Sequence, residues 1–235
     1  MKKAFTLLEL IFVIVVIGIL AAVIIPNTRT NPLQEAAVQL VSHIRYTQHL
    51  AMIDDKFDAT EPFWFRQRWQ LAFSTAGGTN SYMIFADSPS VVGAYDGNPS
   101  ANSTYTDVEV ARNPAKKDKY LIGVPFGAFN NSATEKLSGE LDIGKKYGIN
   151  AITVTGGNTG SGARRILFDH LGRPYRGNTS STSAAALSSP VDKIASSAIF
   201  IKLCRGICVN PKTSANNANE IVIKIEPETG YAHIL

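Results

Sequence analysis

Cysteine and histidine are scarce in this chain, two of the first and four of the second among 235 residues. That scarcity excludes a disulfide-dense scaffold and a Cys/His zinc or iron–sulfur cluster. His43, His49, His170 and His233 are dispersed, and no H-E-x-x-H, G-x-S-x-G or paired C-x2-C motif occurs. The signatures of metal-assisted hydrolysis and of a serine nucleophile are therefore missing, and the chain reads as no enzyme, with no metal and no other cofactor. Asp169-His170 sits beside Leu171-Gly172 and reads as a turn. Charge is sparse as well: 18% of residues, with a formal net of +4, which singles out no partner class. There is no internal repeat. Gly156 to Gly162 is glycine-rich but has no lysine and no strand-to-helix setting, so it is predicted to be a hairpin turn rather than a phosphate loop.

What the chain does have is an uninterrupted apolar run, Phe5 to Ile25, FTLLELIFVIVVIGILAAVII, whose one charge is Glu9. As a helix rising about 1.5 Å per residue it reaches about 30 Å, the thickness of a bilayer core. Lys2 and Lys3 hold the start on the cytoplasmic side, so the rest of the chain lies outside the cytoplasmic membrane. A cleavable secretory signal would end in small-x-small, but Ile19 and Leu20 precede Ala21 and Ala22. A carboxylate inside a membrane costs about 2.5–3.5 kcal/mol at mid-bilayer and less near the edge. No cation lies within the span, the next basic residue being Arg29. Glu9 is thus expected to find its partner on another chain or at a new N-terminus; a carboxylate tolerated near the headgroups is the alternative.

Beyond Pro26, residues 26–31 read as a kink or linker, and 32–54 as an amphipathic helix. Asn31 can cap that helix, Pro32 suits its first position, and Leu33, Ala37, Leu40, Val41, Ile44, Thr47 and Ala51 recur on one face. From about 55 to 235 the pattern turns to strands: 69–75 and 82–86 around a Gly77-Gly78 turn, then 106–110, 120–124, 151–155, 165–169, 198–204, 220–226 and 231–235. Residues 87–104 read as a long loop, and 177–190 as a mobile low-complexity stretch. The fold class is α+β, a long N-terminal helix, first transmembrane and then an amphipathic stalk, on a mostly antiparallel sheet. If IFIKL and VN are strands of a hairpin, Cys204 and Cys208 face each other at bridging distance; two free buried thiols are the alternative. Asp87, Asp96, Asn98, Asn102 and Asp107 offer oxygen atoms for calcium but lack the twelve-residue loop pattern. Arg164 and Arg165 are the candidate contacts for DNA, against solvated strand-end charge as the plainer reading.

Lys2-Lys3-Ala4, then Phe5-Thr6-Leu7-Leu8-Glu9, an apolar helix and Pro26 together resemble the leader of type IV pilins and type II secretion pseudopilins, over about the first 26 residues. The resemblance implies a pilin-like fold, cleavage by prepilin peptidase between Ala4 and Phe5, N-methylation of Phe5, and pairing of Glu9 with the Phe5 amine of a neighbouring subunit. The family usually has glycine before the cut; Ala4 keeps a small residue there. Cleavage removes Lys2 and Lys3, leaving 21 basic residues against 19 acidic, a charge of +2. The partners implied are other pilins or pseudopilins, the peptidase, and an inner-membrane assembly platform with its ATPase. The domains are then a leader at 1–4, a membrane helix at 5–25, the linker, the helix at 32–54 and an extracytoplasmic β-rich domain at 55–235. Leu171-Gly172-Arg173 and Glu228-Thr229-Gly230 are similar to turns of the minor pseudopilin group related to GspH and FimT. A DNA-binding minor pilin and an anchored binding domain that does not polymerise are the alternatives.

Overall fold

The computed structural model describes residues 6–27, 31–99, 109–125, 134–158 and 164–235, with backbone alone for 21–27 and 134. The chain divides into two units, Met1–Asn31 and Pro32–Leu235.

The first unit is helix α1 (Leu7–Asn27). Its backbone passes through Pro26 before ending. Its described side chains from Leu7 to Leu20 are apolar apart from Glu9 and exposed, Leu8 at 79% and Phe12 at 71%. Among the described residues no helix is long and apolar enough to cross a membrane. The span expected over 5–25 runs past the described side chains at both ends, and part of the linker, 28–30, lies outside the described residues.

The second unit opens with α2 (Pro32–Ile53). The long N-terminal helix expected from the sequence, kinked or interrupted at 26–31, is not seen as such among the described residues, which give α1 and α2. The apolar repeat of α2 buries Leu33, Ala36, Ala37, Leu40, Val41, Ile44, Thr47 and Ala51. Burying a Leu, Val or Ile side chain contributes roughly 1.5–3 kcal/mol, so this face anchors the helix to what it covers.

It covers two sheets, where one was expected. β1 (Trp69–Ser74) and β2 (Ser81–Ala86) form a hairpin through Gly77, at φ 70°, and Gly78, at φ 73°. The short helix α3 (Ile143–Tyr147) follows, capped by the Asp142 carboxylate on Lys145 N and ended by Gly148. β3 (Ala151–Gly156), β4 (Arg165–Phe168), β5 (Pro174–Tyr175), β6 (Ile199–Cys204), β7 (Glu220–Ile225) and β8 (Ala232–Ile234) complete the chain. Both sheets are antiparallel, ordered β2-β1-β4-β5 and β3-β6-β7-β8. Inner-face residues Leu71, Ile84, Phe168, Ile201 and Ile223 join α2 in one core.

The first sheet is buried on its other face too, which is why β1 and β2 read as continuous apolar runs. Met83, Phe85, Val110, Tyr120 and Ile122 cluster there, as do Phe65, Leu167, Tyr175 and Leu187.

Several expectations are corrected. Residues 151–155 and 165–169 are strands but lie in different sheets, so 156–162 joins no hairpin; 159–163 lie outside the described residues. Val110, Tyr120 and Ile122 make only isolated bridges, while 106–108 lie outside the described residues. The stretch 177–190 is folded against the first sheet, with Thr179 and Leu187 fully buried and Leu187 O accepting from Arg66 Nε at 3.0 Å.

Candidate functional site

Two places in the structure gather the residues that the sequence marks out. At the start of α1, Thr6 and Glu9 form a reciprocal cap: Glu9 N donates to Thr6 Oγ1 at 3.3 Å, and Thr6 N donates back to Glu9 Oε2 at 2.9 Å. Thr6 Oγ1 also donates to Glu9 Oε2 at 2.9 Å. This is the capping box, and the Thr6-Leu7-Leu8-Glu9 spacing is its sequence signal. Glu9 therefore has partners within its own helix. Ala4 and Phe5, the expected cleavage and methylation residues, lie outside the described residues.

The second place is a junction where α2 meets two turns. Gln48 Nε2 donates to Gly172 O at 2.8 Å, in the β4–β5 turn, and to Thr229 O at 2.7 Å, in the β7–β8 turn. Both turns need a glycine, Gly172 at φ 78° and Gly230 at φ 66°. A Cβ on Gly230 would stand 2.4 Å from Gly172 O and 2.6 Å from Gln48 Nε2. The two motifs singled out in the sequence thus touch one another, and Gln48, which the sequence did not mark, ties both sheets to α2. Asp169 closes the first turn by accepting from Leu171 N, Arg173 N and Arg173 Nε, with Tyr175 Oη at 3.1 Å, so its carboxylate is a turn element as expected.

Cys204 and Cys208 are joined, with Cα atoms 5.5 Å apart. The setting differs from the expected hairpin, because Cys204 pairs with Glu220 of β7 while Val209 and Asn210 are loop. Under that loop lies a buried ion pair, Lys202 Nζ to Glu220 Oε2 at 2.8 Å. Lys202 also donates to Val209 O and Pro211 O, and Glu220 accepts from Val209 N and Asn216 N. Such a pair is retained in a core only when its remaining hydrogen-bonding groups are met, as here. The hydrogen bond from Lys202 is the chief cause that lowers Glu220 to a pKa of about 2, against the opposing effect of burial.

Arg164 and Arg165 do not form an exposed basic pair. Arg165 donates to Gly97 O, Asn98 Oδ1 and Gln70 Oε1, and Arg164 donates to Ile152 O at 3.4 Å. Of the oxygen atoms considered for calcium, Asp87 Oδ2 accepts from Gly97 N, Asp96 Oδ1 from Asn98 N and Asn98 Oδ1 from Arg165 Nη2. Asn102 and Asp107 lie outside the described residues. Burial, with Asp96 and Glu109 adding to it, pushes Asp87 up to about 7. Among the described residues no group of three or more His, Cys, Asp or Glu side chains could hold a metal ion.

No family, characterised protein or solved structure matches the chain. The reading of function rests on the residues themselves.

Proposed function

We propose that this chain is a minor pseudopilin or pilin subunit of a type II secretion or type IV pilus filament. The observation that carries the reading is α1: an apolar helix, bare along its described length, whose single carboxylate sits on its first turn. Bare apolar surface of this extent calls for lipid or other helices around it. Cleavage between Ala4 and Phe5 leaves Thr6 and Glu9 in the mature chain, so the cap survives processing. In the membrane the cap keeps the carboxylate satisfied while the subunit waits. On assembly Glu9 exchanges the weaker Thr6 donors for the Phe5 ammonium of a neighbour, and a charge-assisted bond in low dielectric rewards only the subunit docked at the right height. The Pro32–Leu235 unit then stands outside the cytoplasmic membrane, in a periplasmic or surface filament, with the peptidase, assembly platform and ATPase as partners. DNA binding gains no support from Arg165, whose donors serve Gly97 O, Asn98 Oδ1 and Gln70 Oε1, or from Arg164, which donates to Ile152 O.

The test is the intact mass and N-terminal residue of the protein recovered from membranes of cells with prepilin peptidase. N-methylated Phe5 at the N-terminus is the expected result. A chain that still begins Met1-Lys2-Lys3 overturns the proposal and leaves an anchored domain that does not polymerise.

A further inference from the structure

Lys116 and Lys146 belong to separate lysine pairs, Lys116-Lys117 and, far along the chain on α3, Lys145-Lys146. The structure brings one member of each pair to the same cleft, about 420 Å³, which α2 walls with Gln39, Ser42 and His43 and which Glu140 lines from the opposite side. That volume falls within the range of small-molecule sites, about 300–1,000 Å³. Other lysines spend their ammonium groups close at hand: Lys56 on Asp54, Lys202 on Glu220, Lys224 on Glu226, Lys119 on Glu135 O. The two in the cleft do not. Lys116 Nζ is 3.6 Å from Glu140 Oε2 and Lys146 Nζ is 3.5 Å from Gln39 Oε1, both longer than a normal hydrogen bond.

A third donor is set from beneath. Gln39 Nε2 donates to Glu140 O at 2.6 Å and to Tyr82 Oη at 2.8 Å, while Gln39 Oε1 accepts from Tyr147 Oη at 2.7 Å. Because Tyr82 Oη accepts from Gln39, its own O–H is left for His43 Nδ1, 2.6 Å away. Burial holds His43 down to about 4, so near neutral pH the ring has one proton, and with Nδ1 accepting, that proton is on Nε2. Among the described residues Nε2 meets no acceptor, and His43 lines the cleft. His43, Lys116 and Lys146 therefore all present donors there. One acceptor stands among them, Glu140, whose Oε1 is taken by Asn113 Nδ2 at 2.8 Å and whose Oε2 has the long Lys116 contact.

We propose that this cleft binds a hydroxycarboxylic acid, the chemistry shared by free hydroxy acids and by the uronic-acid units of acidic polysaccharides. The carboxylate lies between the Lys116 and Lys146 ammonium groups and accepts a hydrogen bond from His43 Nε2. A hydroxyl of the ligand donates to Glu140 Oε2, the open acceptor of the cleft. Charge selects the class. Two ammonium groups against the Glu140 carboxylate, with His43 neutral, leave a single positive charge, which matches a monoanion and disfavours a phosphate dianion beside Glu140.

The experiment titrates the full chain in detergent micelles, near neutral pH, with D-galacturonate, its uncharged methyl ester, tetragalacturonate and inorganic phosphate. Calorimetry gives the affinities, and NMR of isotope-labelled histidine, with His43 assigned through His43→Gln, reports on the ring. Galacturonate should bind with a Kd of about 1 mM or tighter, and the ester and phosphate about tenfold more weakly. Lys116→Met and Lys146→Met should each weaken galacturonate about tenfold, while Lys145→Met, whose side chain lies outside the cleft, leaves it unchanged. His43 should show the Nε2–H tautomer in the free protein, and its Nε2 resonance should move with galacturonate, which diffuse attraction to lysines would not cause. Tighter binding of tetragalacturonate than of the monomer assigns the site to a polysaccharide unit, and equal affinity assigns it to a free acid. Equal binding of acid and ester would overturn the proposal, as would phosphate binding as tightly as galacturonate, a galacturonate Kd weaker than about 1 mM, or an unmoved Nε2 resonance.

Discussion

Gly230→Ala is expected to loosen the junction between the two sheets, and its cost can be worked from the geometry. Gly230 has φ 66°, and in that left-handed region an alanine costs about 1–2 kcal/mol. Its Cβ would lie 2.4 Å from Gly172 O and 2.6 Å from Gln48 Nε2, closer than real Cβ atoms come. The β4–β5 turn must shift and Gln48 must withdraw, which gives up its bonds to Gly172 O and Thr229 O at about 1 kcal/mol each. Alanine also reduces the freedom of the unfolded chain, an offset of about 0.4–1 kcal/mol. The net is a loss of about 3 kcal/mol, or about 6–12 °C in melting temperature for a domain of this size. Urea denaturation of the Pro32–Leu235 unit, which has its own core, followed by circular dichroism, measures it. Gln48→Ala alone should cost about 1–2 kcal/mol. The double variant should fall short of the sum by about 1–2 kcal/mol, because both changes remove the same two bonds. A Gly230→Ala variant within about 0.5 kcal/mol of the parent, or strict additivity with Gln48→Ala, would refute the reasoning.

Reduction of Cys204–Cys208 opens a ring of a few residues and should lower stability by about 2 kcal/mol, read as an earlier urea midpoint in reductant; an unmoved midpoint sinks this expectation. Glu220 ionises in the fold at about 2 and ordinarily near 4.5, so its stabilising contribution is whole above about 4.5 and is lost as pH falls towards 2. Asp87 has the opposite sign: with a folded pKa of about 7 against 3.8, stability should decline as pH rises between those values, and Asp87→Asn should flatten that slope. Denaturation midpoints across pH 2 to 8 test both, and an unchanged slope in Asp87→Asn counts against the second. Glu9→Ala should leave membrane insertion intact but abolish incorporation into filaments; normal incorporation of the variant, scored in sheared filament fractions, refutes the register role.

The α2 face was legible because its repeat is helical and its buried set is apolar throughout. Strand positions were legible where apolar runs end in glycine turns, as at β1–β2 and β7–β8. Their assignment to sheets was not, since periodicity says which residues are buried and not which strand lies opposite: 151–155 and 165–169 look like a hairpin and belong to different sheets. β5, two residues long, has no period to read. In the candidate site, Thr6 and Glu9 carried a readable capping spacing, and the cysteines a readable separation. Gln48, Lys202 and Glu220 gave no local signal, because each is defined by partners far along the chain. The acceptors of Arg164 and Arg165 were not legible for the same reason, since they lie far from both arginines in the sequence or on other strands.

The order in which strands enter the sheets bears on how such a chain survives its own synthesis. β3 emerges before β4 yet pairs only with β6, and β1 must hold a place for β4 until after β3 has passed. Neither sheet can close from a contiguous stretch. If the first helix stays in the bilayer while the remainder is threaded outward, β1 and β2 can pair early, but the floor under α2 stays open until β7 arrives near the end. A nascent chain of this topology exposes unpaired apolar strands for most of its passage and closes late and all at once. Truncation upstream of β7 would therefore deprive both layers of their shared core, leaving a partly folded chain that depends on chaperones and is open to proteases.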